Sequence, residues 1–298
     1  MNTVFTYVLD QQVGFRRPGR SPSASGAERT GGRGTGPGGG TVPSSLSMKI
    51  LVTNDDGVSA AGIHALARAA RHLGDVVIVA PDRERSACGH SLTMRDPLRV
   101  KKMAVEGFEA YAVNGVPTDC VNVGRDMFGI DLVLSGINHG PNLGIDVTYS
   151  GTVAGAIEGA LNGIRSISVS LALFVEDAPM HLDTAEGWLR ENLDWLIKLD
   201  VPASTLLNIN VPSTLPENLK GHRFAKMGER VYEDRIERRE DPWGRVYYWQ
   251  GGVASMIDGQ PHTDVEAIRE GYVSITPVTT DWTDWSALSL LERQSSKV

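Results

Sequence analysis

Cysteine is nearly missing from this chain of 298 residues: it has two, Cys88 and Cys120, too few for a disulfide framework. Reduced thiols and a cytoplasmic setting are therefore expected. No stretch approaches ~18 uninterrupted apolar residues, so no membrane-spanning helix is expected, and no N-terminal apolar run is long enough for a signal peptide. Positive charge is also short. With 29 Lys and Arg against 36 Asp and Glu, the formal charge is −7, which argues against non-specific binding to a nucleic-acid polymer. There is no internal repeat.

What is present is unevenly spread. Residues 1–47 hold ten of the 33 glycines, with Pro and Ser clusters, five arginines and two acids, a local charge of +3. A segment so poor in apolar side chains cannot repay its ordering entropy and is expected to be a disordered leader. It is Arg-bearing and acid-poor like a transit peptide but lacks an amphipathic run, and Met48 opening the first strand favours an upstream start codon. Residues 48–298, carrying −10, have the length of one large α/β domain. An anionic small substrate would need local help there, from a metal or from helix N-termini.

The pattern from Met48 alternates strand and helix. Ile50 to Thr53 is a short β-branched apolar run, Ala60 to Leu73 has helical spacing and stops at Gly74, and Asp75 to Ala80 is a second apolar run closed by Pro81-Asp82. That is a βαβ unit and implies a parallel sheet with a right-handed crossover. Further strands are expected at Leu98 to Lys102, Glu109 to Val113, Asp131 to Ser135, Ile167 to Leu171, Thr205 to Val211 and Val273 to Thr276. Helices are expected from Pro117 to Met127, Thr152 to Asn162, Leu182 to Leu199 and Asp281 to Leu291. Arg230 to Gly252 is dense in charge and aromatics around a Pro242-Trp-Gly244 turn, and reads as a long β-hairpin arm with one sticky face of the kind that meets a partner.

Three polar loops follow three of these strands: Asn54-Asp-Asp-Gly57, Arg83 to Ser91, and Ser135 to Gly144. A parallel sheet brings all three to its carboxyl edge, where such folds bind ligands. Asp55 and Asp56 are adjacent carboxylates that a divalent cation would reconcile; with the Ser86 hydroxyl and the Asn138 amide oxygen they form a hard-oxygen set suited to Mg²⁺ or Mn²⁺. A solvated Asn-Asp-Asp-Gly turn is the plainer reading of the first loop. Ser150 and Thr152 in Tyr149-Ser-Gly-Thr152 are N-cap candidates, or else part of a phosphate cradle at a helix N-terminus. His64 and His72 read as surface or packing residues, and His90 and His139 as loop histidines within reach of the site. Cys88 has no paired base in sequence and does not read as a thiol nucleophile.

Taken together, four stretches resemble the SurE (survival protein E) nucleotidase family: Ile50 to Gly57; Val79-Ala-Pro-Asp82 with Ser86 and Gly89-His-Ser-Leu-Thr93; Ser135-Gly-Ile-Asn138 through Asn142-Leu-Gly144; and Tyr149 to Thr152. Gly271-Tyr-Val-Ser-Ile-Thr-Pro277 matches the family's C-terminal strand, so the similarity spans Met48 to about Leu291. The resemblance implies a three-layer α/β/α sandwich with a mostly parallel, Rossmann-like sheet. It implies a metal-dependent phosphomonoesterase acting on nucleoside 5′- and 3′-monophosphates, and on short polyphosphate. It further implies one divalent cation per subunit on Asp55, Asp56, Ser86 and Asn138, phosphate binding at Asn142 and Ser150, Gly151 and Thr152, and dimers or tetramers formed by exchange of a C-terminal arm, here about 230–252. Cys88 stands where the family has a small residue, and Glu266 where it often has an aromatic, a departure that bears on arm packing or base preference. On the residues alone, two rivals stay open. An aspartyl-phosphate phosphatase would want its two carboxylates separated by one intervening residue, a spacing that Asp55-Asp56-Gly57 does not supply. A non-catalytic nucleotide sensor or scaffold would bind without turnover.

Overall fold

The structure is a computed structural model describing residues 47–174, 179–256 and 260–295. The expected leader lies almost wholly outside the described residues.

The first strand, β1 (Met48–Thr53), carries Ile50, Leu51 and Val52 with no exposed surface, because strands β2 (Gly74–Pro81) and β5 (Leu132–His139) pair with it in parallel on either side. A continuous apolar run is what a strand covered on both faces requires. Between β1 and β2 runs α1 (Ala61–Ala70), which buries Ile63, Leu66, Ala67 and Ala70. It ends three residues before the spacing suggests. Gly74 must start β2 so close to β1 that a Cβ there would stand 2.1 Å from the Met48 carbonyl oxygen, so residues 71–73 form the turn back to the sheet.

β3 (Val100–Val105) and β4 (Phe108–Val113) form a hairpin turning at Gly107, and β4 pairs in parallel with β2. The helix α2 (Pro117–Phe128) opens with Asp119 accepting from the Val116 N–H at 2.9 Å. Then follow α3 (Gly151–Leu161), β6 (Arg165–Ala172), α4 (Leu182–Leu196), β7 (Thr205–Pro212) and β8 (His222–Phe224). After the hairpin strands β9 (Arg230–Glu240) and β10 (Val246–Met256) come α5 (Asp264–Arg269), β11 (Val273–Thr279) and α6 (Trp285–Ser295).

Among the described residues the main sheet has nine strands in the order β3-β4-β2-β1-β5-β6-β7-β11-β8. It is parallel except where β3 meets β4 and β11 meets β7. Period two sorts the layers: Ile50 and Val52 of β1 join α1 and α4 in one core, while Leu51 joins Val121 of α2 and Val133 in the other. The fold is therefore the expected three-layer α/β/α sandwich. Among the described residues no helix is long and apolar enough to cross a membrane.

β5 differs from its expected end at Ser135. A register shift against β6 between Ser135 and Asn138 accommodates Gly136 and Ile137, and the ladder resumes with Asn138 and His139 opposite Ser170 and Leu171. β8, α5 and the 3₁₀ turn at Gly144–Thr148 are not legible as elements in the sequence.

The hairpin is present, with Tyr247 opposite Arg239 and Trp249 opposite Glu237. Its apolar groups do not share the one face that the sequence suggests. Tyr247 and Trp249 project to one side, while Tyr248, Val246 and Ile236 belong to the other, because consecutive aromatics on a strand must alternate. All five are exposed in this single chain, as is Trp243 at the turn.

Candidate active site

Strand order reverses around β1. From β1 the chain crosses by α1 to β2 on one side, while β5 and its crossover α3 lie on the other. A crevice opens at such a switch point, beyond the carboxyl ends of the strands. The three loops singled out in the sequence meet there.

Asn54 fixes the first loop. Fully buried, it donates its side-chain amide to the Gly57 carbonyl and accepts the Gly57 N–H, both at 3.1 Å. Gly57 has φ +100° and sits against the Arg83 backbone, which ties this loop to the one after β2. The Arg85 N–H donates to the Asp55 carbonyl at 2.7 Å and the Gly89 N–H to the Tyr149 carbonyl at 2.9 Å. That second bond joins the β2 loop to the start of α3.

Asp55 is 5% exposed and accepts a hydrogen bond from the Thr152 hydroxyl. Gly151, the first residue of α3, is pressed on it: a Cβ there would lie 2.7 Å from both the Asp55 Cβ and the Cys88 Sγ. Only glycine lets the positive end of the helix come so near the carboxylate. Burial, reinforced by the charge of Asp56, pushes the Asp55 carboxyl up to about 6 although the Thr152 hydroxyl opposes the rise. Burial raises Asp56 as well; His139 favours its charged form and Glu84 works against it. One Asp56 oxygen, Oδ2, is buried with no hydrogen-bond partner.

Ser86 and Asn138, the other expected ligands, lie on the loop after β2 and at the end of β5. Ser86 donates to Glu84 Oε1 at 2.6 Å, which places it on a carboxylate that Asp56 feels electrostatically. Asn138 spends its amide nitrogen on the Gly140 carbonyl at 2.8 Å, so its oxygen is the end left for a cation. Among the described residues no three or more His, Cys, Asp or Glu side chains are grouped to hold a metal ion. A cation here would rest on two carboxylates and neutral oxygens.

Of the two cap candidates, Ser150 is the N-cap, accepting from the Val153 N–H at 3.1 Å, whereas Thr152 is turned to Asp55. Asn142 is buried in a polar cluster. Its amide nitrogen donates to Ser170 Oγ, its N–H to Asn210 Oδ1, and its carbonyl accepts from Asn208 and Asn210. Cys88 is half-buried, and burial together with Asp55 pushes its thiol up to about 11, which makes it a poor nucleophile. His64 is bonded to the Val58 carbonyl just before α1, and His72, just after it, to the Ala69 carbonyl and to Asp194 of α4. His90 pairs with Glu158 at 2.9 Å, and His139 stands beside Asp56.

Sequence reasoning missed Glu84, Asp264 and the Asn208/Asn210 pair. Asp264 is fully buried and accepts from the Gly144, Gly228 and Val265 N–H groups. The asparagines carry a readable signal: two amides at i and i+2 on one face of an otherwise apolar strand. Glu266, the departure from the family pattern, has a local role, accepting the His262 N–H at 2.7 Å at the start of α5.

A doubly wound α/β protein with adjacent carboxylates, one buried and one half-buried, at its switch point and a glycine-led helix against them is the class these observations define. The sequence model described as Survival protein SurE matches residues 50–234. Proteins named 5′-nucleotidase SurE are similar along most of the chain. That of Syntrophomonas wolfei subsp. wolfei is 42% identical over 84% of this chain and 96% of its own length, and that of Gemmatimonas aurantiaca 46% identical over 81% and 96%. The crystal structure of the SurE protein from Aquifex aeolicus superposes with a TM-score of 0.71 at 37% identity, covering 83% of this chain and 99% of that one. The chain belongs to the SurE family.

Proposed function

We propose that this chain is a divalent-metal-dependent 5′-nucleotidase that hydrolyses nucleoside monophosphates to nucleoside and phosphate, with 3′-monophosphates and short polyphosphate as further substrates. The observation that carries the reading is the Asp55–Asp56 pair. Both carboxyls are raised by burial, and one Asp56 oxygen is buried without a partner. Burying two like charges is costly unless a cation sits between them. The donors are all oxygen, which fits Mg²⁺ or Mn²⁺.

Asp55 and Asp56 would hold one such ion per subunit, with Ser86 and Asn138 completing the protein's share. Bound there, it would neutralise phosphate charge and lower the pKa of water. The chain's own residues supply the rest. The N-terminal turn of α3 orients the phosphate with the main-chain N–H groups of Gly151 and Thr152 and with the Ser150 hydroxyl, the Ser150 N–H being held by the Asp146 carbonyl. Asn142, expected as a phosphate contact, is committed to Ser170 and the Asn208/Asn210 pair and instead holds the neighbouring loop in place. Thr152 keeps Asp55 oriented through its hydroxyl. Asp56 takes one proton from the attacking water as the water's oxygen bonds to phosphorus, and the ester oxygen leaves as the nucleoside alkoxide, which takes a proton from solvent to become the hydroxyl. The hairpin pairs subunits into a homo-oligomer, and the setting is the reducing cytoplasm.

Phosphate release from a panel of 5′- and 3′-monophosphates, with and without Mg²⁺ or Mn²⁺, tests this. EDTA is expected to abolish release and added metal to restore it. Thermal stabilisation by nucleotides without release under any metal would instead make the protein a sensor.

A further inference from the structure

Next to the α3 N-terminus lies a cavity of about 550 Å³. Ser150, His90 and Asp281 give it polar groups, Ile157, Met227 and Val278 apolar ones, and Trp282 also lines it. The indole is 77% exposed in this chain. Its backbone is nonetheless held, because Asp281 accepts from the Thr283 N–H at 3.0 Å and from the Trp285 indole N–H at 2.9 Å.

We propose that this cavity receives the nucleoside of the substrate, with Trp282 as the platform on which the base stacks. Continuity supports it: Ser150 both borders the cavity and caps the helix whose next residue, Gly151, presses on Asp55. A ligand with its phosphate at the helix end would direct its apolar part into this space. The volume is in the range that holds small-molecule ligands, and apolar side chains interspersed with polar ones such as Ser150, His90 and Asp281 match a flat base joined to a phosphorylated sugar. Recognition by a π-face is tolerant of base identity, since every base has one. The enzyme is therefore expected to accept purine and pyrimidine nucleotides alike, preferring the larger purine surface.

This inference rests on the nucleotidase reading, and the test separates the two. In the full chain, Trp282→Ala is expected to raise KM for AMP about tenfold or more, from the loss of base–aromatic stacking. Hydrolysis of ribose 5-phosphate, which has no base, should be unchanged, and Trp282→Phe should retain most of the AMP affinity. Adenosine should quench wild-type tryptophan fluorescence, and Trp282→Phe should lose that quench. An equal loss on both substrates, an unaffected KM for AMP, or a quench that survives in Trp282→Phe would overturn the assignment. So would a changed mass by light scattering in Trp282→Ala, which would give the indole to a subunit contact. If neither substrate is hydrolysed by wild type, the nucleotidase reading fails, while the quench still reports on the cavity.

Discussion

At Asp55, burial and the charge of Asp56 oppose ionisation while the Thr152 hydroxyl favours it, and the balance lifts the carboxyl from 3.8 to about 6. Within that window the folded chain keeps a proton that the unfolded chain has released. The stabilisation is full below 3.8 and is lost as pH rises through about 6. The loss is on the order of 3 kcal/mol, since a tenfold change in proton affinity corresponds to about 1.4 kcal/mol. In EDTA, therefore, the wild-type melting temperature should fall as pH rises from about 4 to 6.5. Asp55→Asn, which can still accept from Thr152, should fall less and melt higher than wild type at about pH 7.5. A lower melting temperature for Asp55→Asn at that pH would show that the charge is not a burden. Asp264 is also raised by burial, but there three N–H donors oppose the rise. Asp264→Ala strands those groups and should lower unfolding stability by roughly 3 kcal/mol or more. A urea titration giving less than ~1 kcal/mol would mean they find other partners. Asp55 and Asp56 are legible because adjacent acids at a strand end are unusual, whereas Asp264 sits in an ordinary polar stretch, and only the tertiary fold brings Gly144 and Gly228 to it.

Among the elements, legibility follows burial. β1, β2 and β5 stand out because both faces are covered and their apolar runs are unbroken, and β6 because Ile167, Val169 and Leu171 alternate with Ser166, Ser168 and Ser170. α1 and α4 show because one stripe of each is buried. β8, three residues with two exposed, carries no periodicity to read. The start of α6 comes four residues later than expected because Asp284 caps it, accepting from the Ala287 N–H at 2.9 Å. The hairpin is visible in outline but its faces are not as expected: Tyr247, Tyr248 and Trp249 cannot lie on one side of a strand. With aromatics exposed on both sides, a partner has two surfaces to cover. Replacing the tip 241–245 by a two-residue turn should shift the species seen by light scattering to a smaller mass. An unchanged mass, or a monomeric wild type, would remove the hairpin from assembly.

Over the whole molecule, the site exists because one topological fact gathers three distant loops. The reversal of strand order at β1 places Asn54 to Gly57, the Arg83 to Ser91 loop and the end of β5 at one crevice, and α3 enters it glycine first. The parallel sheet and the convergence of the loops can be read from the βαβ pattern. The press of Gly151 on Asp55 and the Thr152 bond cannot, since they depend on packing between residues almost a hundred positions apart. On the proposed function, these two carboxylates are needed for phosphate release and not for folding. The most direct measurement is the rate of phosphate release from a nucleoside monophosphate, with saturating Mg²⁺ or Mn²⁺, by wild type, Asp55→Asn and Asp56→Asn, each confirmed folded by its melting curve. A metal ion contributes several kcal/mol to such a transition state, so both variants should be slower by about a thousandfold or more with no loss of stability. Wild-type rates from both variants would contradict the account.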